Sequence, residues 1–509
     1  MSCVQSIAEL GNRGVLVEIE CNISNNLPCI VIVGSASKAV DEGRERVRGA
    51  FTNSGLQLPR KRITINLAPA DLPKSDSSFD LAMAAAILQT SGQIPPESLK
   101  KTILIGELGL DGSIRPSRGI IGKLLLGRKL GVNEFVVPYA NIAQACLVPG
   151  VRLIPVRTLR ELYIFLTTSV GITQLDTNEN ASSLTTDTSA AESLSLSEIV
   201  GQEFAKRGLE IAAAGGHNIF LTGPPGTGKS MLAKTLPMLL PQPTYEEILE
   251  VTQLHSLVTN NYEMPVITRP FRSPHHSASL VAILGGGNNL RPGEISLAHH
   301  GVLFLDEMPE FNRVTLEALR QPLEDHTVTV ARAKDTVVYP ANFILVATAN
   351  PCPCGYYGSD KPCNCLPSQV SRYQQRISGP ILDRIDLHCT VQGLDHTSLL
   401  ERPPDVKTDA TIRDRILDAR KRQFKRYDTS IKTNATMSRR DIQTLGFLEQ
   451  QAKDLLDQAA ASLTLSARAY MKTVKVARTI ADLGSSEAIR SPHIAEALQY
   501  RHQVQMPSL

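Results

Sequence analysis

The stretch "NIFLTGPPGTGKSMLAKTLPMLL", residues 218–240, decides how this chain is read. Asn218 to Thr222 is a short apolar run of strand type. It passes into "GPPGTGKS", Gly223 to Ser230, which fits G-x-x-x-x-G-K-[ST] in full, and a helical segment follows. Strand, glycine loop and helix in that order give the pattern a mechanism. Gly223, Gly226 and Gly228, with Pro224, Pro225 and Thr227 between them, let backbone N–H groups close around phosphate oxygens. The start of the helix adds partial positive charge. Lys229 is placed to neutralise β- and γ-phosphates, and the Ser230 hydroxyl to ligate Mg²⁺, so ATP and Mg²⁺ are the expected cofactors.

Working outward, "HGVLFLDEMPEF", residues 300–311, carries an apolar strand that ends in Asp306 and Glu307. Carboxylates at the C-terminal end of a parallel strand face the crevice where ligands bind. Asp306 is expected to hold Mg²⁺ through water, and Glu307 to orient and deprotonate the attacking water. A further apolar strand, "ANFILVATANP", finishes in Asn350, beside the γ-phosphate in doubly wound NTPases. The chain is therefore expected to be α/β, with a parallel-sheet P-loop NTPase core.

Composition sets the frame. The chain has 509 residues, 42% hydrophobic and 20% charged, and a net charge of +3. That length suggests about three domains. No apolar run approaches the roughly 18 to 20 residues of a membrane helix. The N-terminus shows neither the basic nor the apolar part of a secretion signal. The expected location is cytoplasmic, without a membrane partner, where thiols stay reduced. The small positive charge does not itself argue for nucleic acid. A Ser/Thr/Asn-rich stretch without aromatics divides the chain. The expected layout is an N-terminal domain over residues 1–171, a flexible linker over 172–197, an ATPase domain over 198–397 and a C-terminal helical lid over 398–509.

Three motif groups carry a resemblance. Asn350 looks like the sensor 1 position of AAA+ proteins. "ISGPILDRIDLH", residues 377–388, puts Arg384 where an arginine finger reaches a neighbouring subunit's nucleotide, and "TLSARAYMKTVKVARTIADL", residues 464–483, resembles sensor 2 with Arg468 as its contact. The 77 residues between Lys229 and Asp306 are many for such a core, and the extra length includes "PFRSPHH" and "LRPGEISLAHHG". Together these resemble the ComM/YifB family of magnesium-chelatase-like AAA+ proteins, over nearly the whole chain apart from the linker. The resemblance implies a homo-oligomeric ring, a hexamer, that moves on single-stranded and branched DNA as a branch-migration helicase acting on recombination intermediates in natural transformation. The alternatives are a chelatase-type ATPase subunit and a protein-remodelling or proteolytic AAA+ ATPase.

Local features bear on DNA. "LEDHTVTVARAKDTVVYPANF", residues 323–343, reads as a β-hairpin whose tip offers Arg332 and Lys334 to phosphates in a ring pore. "ILGGGNN", residues 283–289, is a candidate second pore loop. "LPRKR", residues 58–62, is a candidate DNA-facing surface, whereas "RDRILDARKRQFKRY", residues 413–427, reads as a solvated helix face. The pairs His275-His276 and His299-His300 are expected to order the insert rather than bind metal.

Residues 55–138 resemble the Lon protease catalytic domain, a ribosomal-S5-like α/β fold. In "PSRGIIGK" the lysine position of the Lon Ser–Lys dyad falls on Ile121, and in "SDSSFDLA" the serine position falls nearest Phe79. The dyad is read as lost, with Ser77, Ser78 and Lys123 left as a possible shifted pair. Four of the nine cysteines remain: Cys352, Cys354, Cys363 and Cys365, spaced C-x-C, eight residues, C-x-C. Four thiolates on one loop can surround structural Zn²⁺, although C-x-C is tighter than the usual spacing; buried free thiols or a redox pair are the alternatives. The other five, Cys3, Cys21, Cys29, Cys146 and Cys389, are expected in cores.

Overall fold

The computed structural model describes residues 2–10, 13–34, 38–70, 77–168, 170–177, 195–259, 264–287, 290–331, 336–393, 406–429 and 432–501. The N-terminal region builds an eight-stranded mixed sheet. Its strands are β1 (Ser2–Leu10), β2 (Arg13–Ser24), β3 (Cys29–Val33), β4 (Arg62–Ala68), β5 (Thr102–Leu104), β6 (Glu134–Pro138), β7 (Arg152–Val156) and β8 (Leu175–Asp176). They lie in the order β8-β7-β6-β5-β1-β2-β4-β3. The Ala-rich helix α1 (Asp80–Thr90) is almost wholly buried against β1 and β2. A short apolar helix without a polar face has to be covered on all sides. The edge strand β8 pairs antiparallel with β7, so residues 175 and 176, expected in the linker, belong to the sheet. Within that linker, residues 178–194 lie outside the described residues.

The phosphate-loop region has a five-stranded, wholly parallel sheet. Here β9 (Ile219–Thr222), β10 (Phe271–Arg272), β11 (Val302–Leu305), β12 (Ile344–Ala349) and β13 (Leu387–Thr390) lie in the order β10-β11-β12-β9-β13. Every residue of β11 and β12 is buried. Continuous apolar strands of this kind belong to parallel sheets covered on both faces. The order places the C-terminal ends of β9, β12 and β11 side by side, with neighbouring strands about 4.8 Å apart.

Helix α2 (Lys229–Leu239) follows the loop, and α3 (Tyr245–Ser256) opens with a full capping box of Thr244 and Glu247. Helix α3 joins the two regions: its Ile248 shares a buried cluster with Ile120, Ile121 and Leu124, and the Tyr245 hydroxyl donates to Leu147 O. The C-terminal region is helical: α4 (Val406–Tyr427), α5 (Gln450–Ser462), α6 (Ala467–Leu483) and α7 (Ser491–Gln499). Among the described residues, no helix is long and apolar enough to cross a membrane.

Two expectations are corrected. Helix α4 is not merely a solvated basic face. Arg426 and the fully buried Arg478 both donate to Asp482 Oδ1, at 2.5 and 3.0 Å, Arg415 pairs with Glu210 at 2.8 Å, and Arg420 reaches Ala213 O. Arginines on a charge-rich helix are long enough to find carboxylates and free helix-end carbonyls on the buried side. Of the five scattered cysteines, Cys21 and Cys389 are buried, but Cys3 and Cys146 are exposed. A small residue on a surface element costs little there, so composition alone does not locate it.

Candidate nucleotide-binding site

The glycine loop runs from the end of β9 to the start of α2. Gly226 and Gly228 take φ of 77° and 86°, and no atom lies within 4 Å of where a Cβ would stand on either. A side chain would fill that space and strain the backbone. Gly223 is needed for the opposite reason: a Cβ there would come 2.1 Å from Val391 O. The loop is thus closed behind and open in front, as a phosphate cradle must be.

Lys229 sits in the first turn of α2, its side chain largely buried. Its ammonium donates to Gly223 O at 2.8 Å, Pro224 O at 2.7 Å and Asn350 Oδ1 at 3.1 Å. Burial lowers its pKa below the usual lysine value, while Asp306 and Glu307 pull it up. A desolvated cation held only by neutral oxygens is one for which an anionic ligand is a better partner. Next to it, Ser230 Oγ donates to Asp306 Oδ2 at 3.0 Å. The five sequence-derived groups Lys229, Ser230, Asp306, Glu307 and Asn350 thus meet at one edge of the sheet, and the donor set fits a nucleotide with Mg²⁺.

Thr348 was not singled out from the sequence. It lies fully buried near the end of β12. Its hydroxyl donates to Asp306 Oδ1 at 2.5 Å and accepts the Glu307 N–H at 3.0 Å. One hydroxyl therefore sets the rotamer of one carboxylate and the backbone of the next. Glu307 needs that hold, because it sits at φ 51°, a left-handed conformation uncommon for a side-chain-bearing residue. A polar residue inside "ILVATA" is the only trace of Thr348 in the sequence.

Arg384 and Arg468 lie elsewhere. Arg384 just precedes β13 and donates to Glu324; Arg468, at the start of α6, donates to the other oxygen of the same carboxylate at 2.8 Å. Both line a 440 Å³ cavity with Gly216, Asn218, Gly301 and Ile344, which precede or begin strands. The cavity is therefore at the edge of the sheet opposite the phosphate loop. Across β9 the two edges are about 13 Å apart, at about 3.3 Å per residue. Neither arginine faces its own subunit's phosphate loop.

The hairpin is formed by β-strands Thr327–Ala331 and Thr336–Pro340, paired antiparallel with Ala331 opposite Thr336. Arg332 and Lys334 lie outside the described residues. In the candidate second loop, Gly285-Gly286 pairs with Arg291-Pro292. Arg60, Lys61 and Arg62 are exposed.

His299, His300 and Glu250 converge, with both Nε2 atoms near Glu250 Oε2, at 3.0 and 2.8 Å. The His299 Nδ1 accepts the Asn342 N–H at 3.0 Å. Its proton is therefore on Nε2 and points at Glu250, which leaves no lone pair for a metal there. Arg269 donates to Glu247 at 2.9 Å and to His300 O at 2.8 Å. The pair thus pins the end of the insert to α3, just before β11.

In the N-terminal region, Ile121 packs in the core, and Lys123 Nζ donates to Ser78 Oγ and Ser117 Oγ, each at 2.9 Å. All three polar side chains are buried. Ser78, rather than Phe79 or Ser77, is the serine brought to Lys123. The four clustered cysteines also come together, with every sulfur within 4.8 Å of the others.

Three family models match: "Magnesium chelatase, subunit ChlI" over residues 195–399, "Subunit ChlI of Mg-chelatase" over 19–141 and "Magnesium chelatase, subunit ChlI C-terminal" over 407–501. Competence protein ComM of Haemophilus influenzae is 42% identical over 512 residues, 99% of this chain and 98% of that protein. The YifB protein of Escherichia coli is 42% identical over 502 residues, 98% of this chain and 97% of its own length. Lon protease 2 of Bacillus subtilis is 29% identical over 179 residues, 31% of this chain and 32% of that protein. With a phosphate loop and its carboxylates on one sheet edge and near-complete alignment to these relatives, the chain belongs to the ComM/YifB family of magnesium-chelatase-like AAA+ ATPases.

Proposed function

We propose that the protein is a ring-forming ATPase, a hexamer, that moves on single-stranded and branched DNA as a branch-migration helicase in natural transformation. One observation carries the ring: the hydrolytic groups occupy one edge of the sheet, and Arg384 and Arg468 the other. Side chains so far from their own phosphate loop are placed to serve a neighbour's nucleotide once they leave Glu324. In this reading the loop N–H groups and Lys229 bind the phosphates, and Asn350 holds the ammonium in line. Ser230 and Asp306 would hold Mg²⁺, which when bound offsets charge on the β- and γ-phosphate oxygens. Glu307 takes a proton from the water that attacks the γ-phosphorus, and ADP leaves. Arg384, with Arg468 beside it, leaves Glu324 to meet the charge developing on the transferred phosphoryl of the next protomer. The four-thiol loop completes the cofactor set as a structural Zn²⁺ site.

The layout that goes with this has an S5-like N-terminal domain over residues 1–171 extended by strand β8, a linker over the remainder of 172–197, the AAA+ core over 198–397 and a helical lid over 398–509. Support for DNA comes from the competence protein among the relatives and from the hairpin of Thr327–Ala331 and Thr336–Pro340, between whose strands the sequence carries Arg332 and Lys334. The test is a junction assay with purified protein, ATP, Mg²⁺ and labelled three-way and four-way DNA. Strand displacement that needs hydrolysis is expected. An ATPase rate indifferent to DNA, with no displacement, would refute the motor.

The Lys123–Ser78 contact favours a second activity, peptide hydrolysis by a Ser–Lys dyad. Its burial weighs against it, since an acylating serine must meet substrate. Stoichiometric labelling of wild-type protein by a fluorophosphonate, abolished in Ser78→Ala, would establish that activity; no labelling would dismiss it.

A further inference from the structure

The loop that carries Cys352, Cys354, Cys363 and Cys365 has no helix, strand or apolar centre of its own, and only Cys352 among the four is fully buried. Nevertheless its sulfurs converge. Cys352 lies 3.3 Å from Cys354 and 3.7 Å from Cys363, and Cys354 lies 3.5 Å from Cys363. These separations are far beyond a disulfide's length of about 2.05 Å. They are close to the edge of a tetrahedron around Zn²⁺, about 3.8 Å for Zn–S bonds of about 2.3 Å. The Tyr357 N–H points at Cys352 Sγ, 3.3 Å away, an outer bond of the kind that steadies a thiolate ligand.

The position of this loop gives such a metal a consequence. Gly355, between the two C-x-C halves, packs directly on the phosphate loop: a Cβ there would stand 2.6 Å from Pro225 Cδ and 3.1 Å from Pro225 Cγ. Two residues before Cys352, Asn350 holds Lys229. Tyr357 and Gly358 line one cavity together with Pro224 and Asn350. A four-sulfur centre would therefore brace the nucleotide site twice, through Asn350 on one side and through the Gly355–Pro225 contact on the other.

We propose that the four cysteines bind one Zn²⁺ per chain and that this metal supports the phosphate loop, so that nucleotide affinity depends on zinc. The coupling rests on the reading of residues 223–230 as an ATP site. A loop of this size, with no helix or strand of its own, draws little folding energy from its own contacts, so removing the metal loosens both braces.

The experiment uses the full chain. Zinc is counted by mass spectrometry, and binding of a fluorescent ATP analogue is measured before chelation, after chelation and after Zn²⁺ alone is restored. One zinc per chain is expected, with affinity falling about tenfold on chelation, the scale of losing a supporting shell, and returning with Zn²⁺. Gly355→Ala should keep its zinc yet bind the analogue about tenfold more weakly. Gly131→Ala, in the N-terminal region, is the control: its φ of 83° imposes similar strain, but no atom lies near its Cβ, so affinity should stay within about twofold. Protein without zinc, or affinity that ignores chelation and Gly355→Ala alike, overturns the proposal. Zinc-loaded protein that binds no nucleotide at all overturns the ATP reading, and the coupling with it.

Discussion

Replacing Thr348 by valine changes no volume of consequence, yet it removes the one hydroxyl that touches both acidic residues of the site. In the wild type that hydroxyl donates to Asp306 Oδ1 at 2.5 Å and accepts from Glu307 N at 3.0 Å in a fully buried position. A hydrogen bond to a charged group contributes about 1.5–3 kcal/mol, and an N–H left buried without a partner costs about 1–3 kcal/mol. If the charged bond alone is expressed in the transition state, the rate falls about 10- to 100-fold, at about 1.4 kcal/mol per factor of ten. Nucleotide affinity should hardly change, since Thr348 faces the carboxylates and not the loop. The assay pairs steady-state ATP hydrolysis with binding of a fluorescent ATP analogue for wild type, Thr348→Val and Thr348→Ser. Serine keeps the hydroxyl and should recover most of the rate. A valine variant that hydrolyses ATP within twofold of wild type would refute the idea that this bridge positions Glu307.

Three other outcomes are expected. Glu307→Gln should retain nucleotide binding and lose at least about 10²-fold in hydrolysis, the scale of a general base; equal losses in both would mean that Glu307 only holds the fold. Arg384→Ala and Lys229→Ala should each be inactive, the former by about 10³-fold or more. Mixed one to one, they should recover up to about a quarter of wild-type activity, because a quarter of interfaces then pair an intact loop with an intact finger; no recovery in a mixed ring would count against donation between neighbours. Thermal stability should fall as pH drops from 7 to about 5, because burial holds His255, His299 and His326 below the usual imidazole pKa. The unfolded chain then takes up protons there before the folded one does, so stability is lost as pH falls through about 6.5. Asp80 acts in the opposite sense: burial raises its carboxyl to about 6 despite Arg46, so protonation on acidification gives some stability back. A melting temperature that rises on acidification, or a slope that His299→Gln leaves unaltered, would contradict this balance.

Much of the nucleotide site could be read in the linear chain, because its parts are local. A phosphate loop is eight contiguous residues with a fixed backbone, and an acidic pair after an apolar strand announces its own position. Four cysteines within fourteen residues are near one another in any fold, so their cluster was also legible. What joins distant segments was not. Nothing in the spacing says that Thr348 bridges Asp306 and Glu307, that Gly355 rests on Pro225, or that Ser78 is the serine that meets Lys123 across 45 residues.

By itself, then, the sequence determined membership of the ComM/YifB family and a candidate nucleotide site made of a P-loop, two carboxylates and Asn350. Only the tertiary structure decided that Arg384 and Arg468 share Glu324 on the far edge of the sheet, and that the cysteine loop leans on the phosphate loop. The physical reason is range. Backbone conformation and strand burial are dictated by neighbours a few residues away, whereas the side of the sheet on which a side chain emerges depends on strand order, which long-range packing selects.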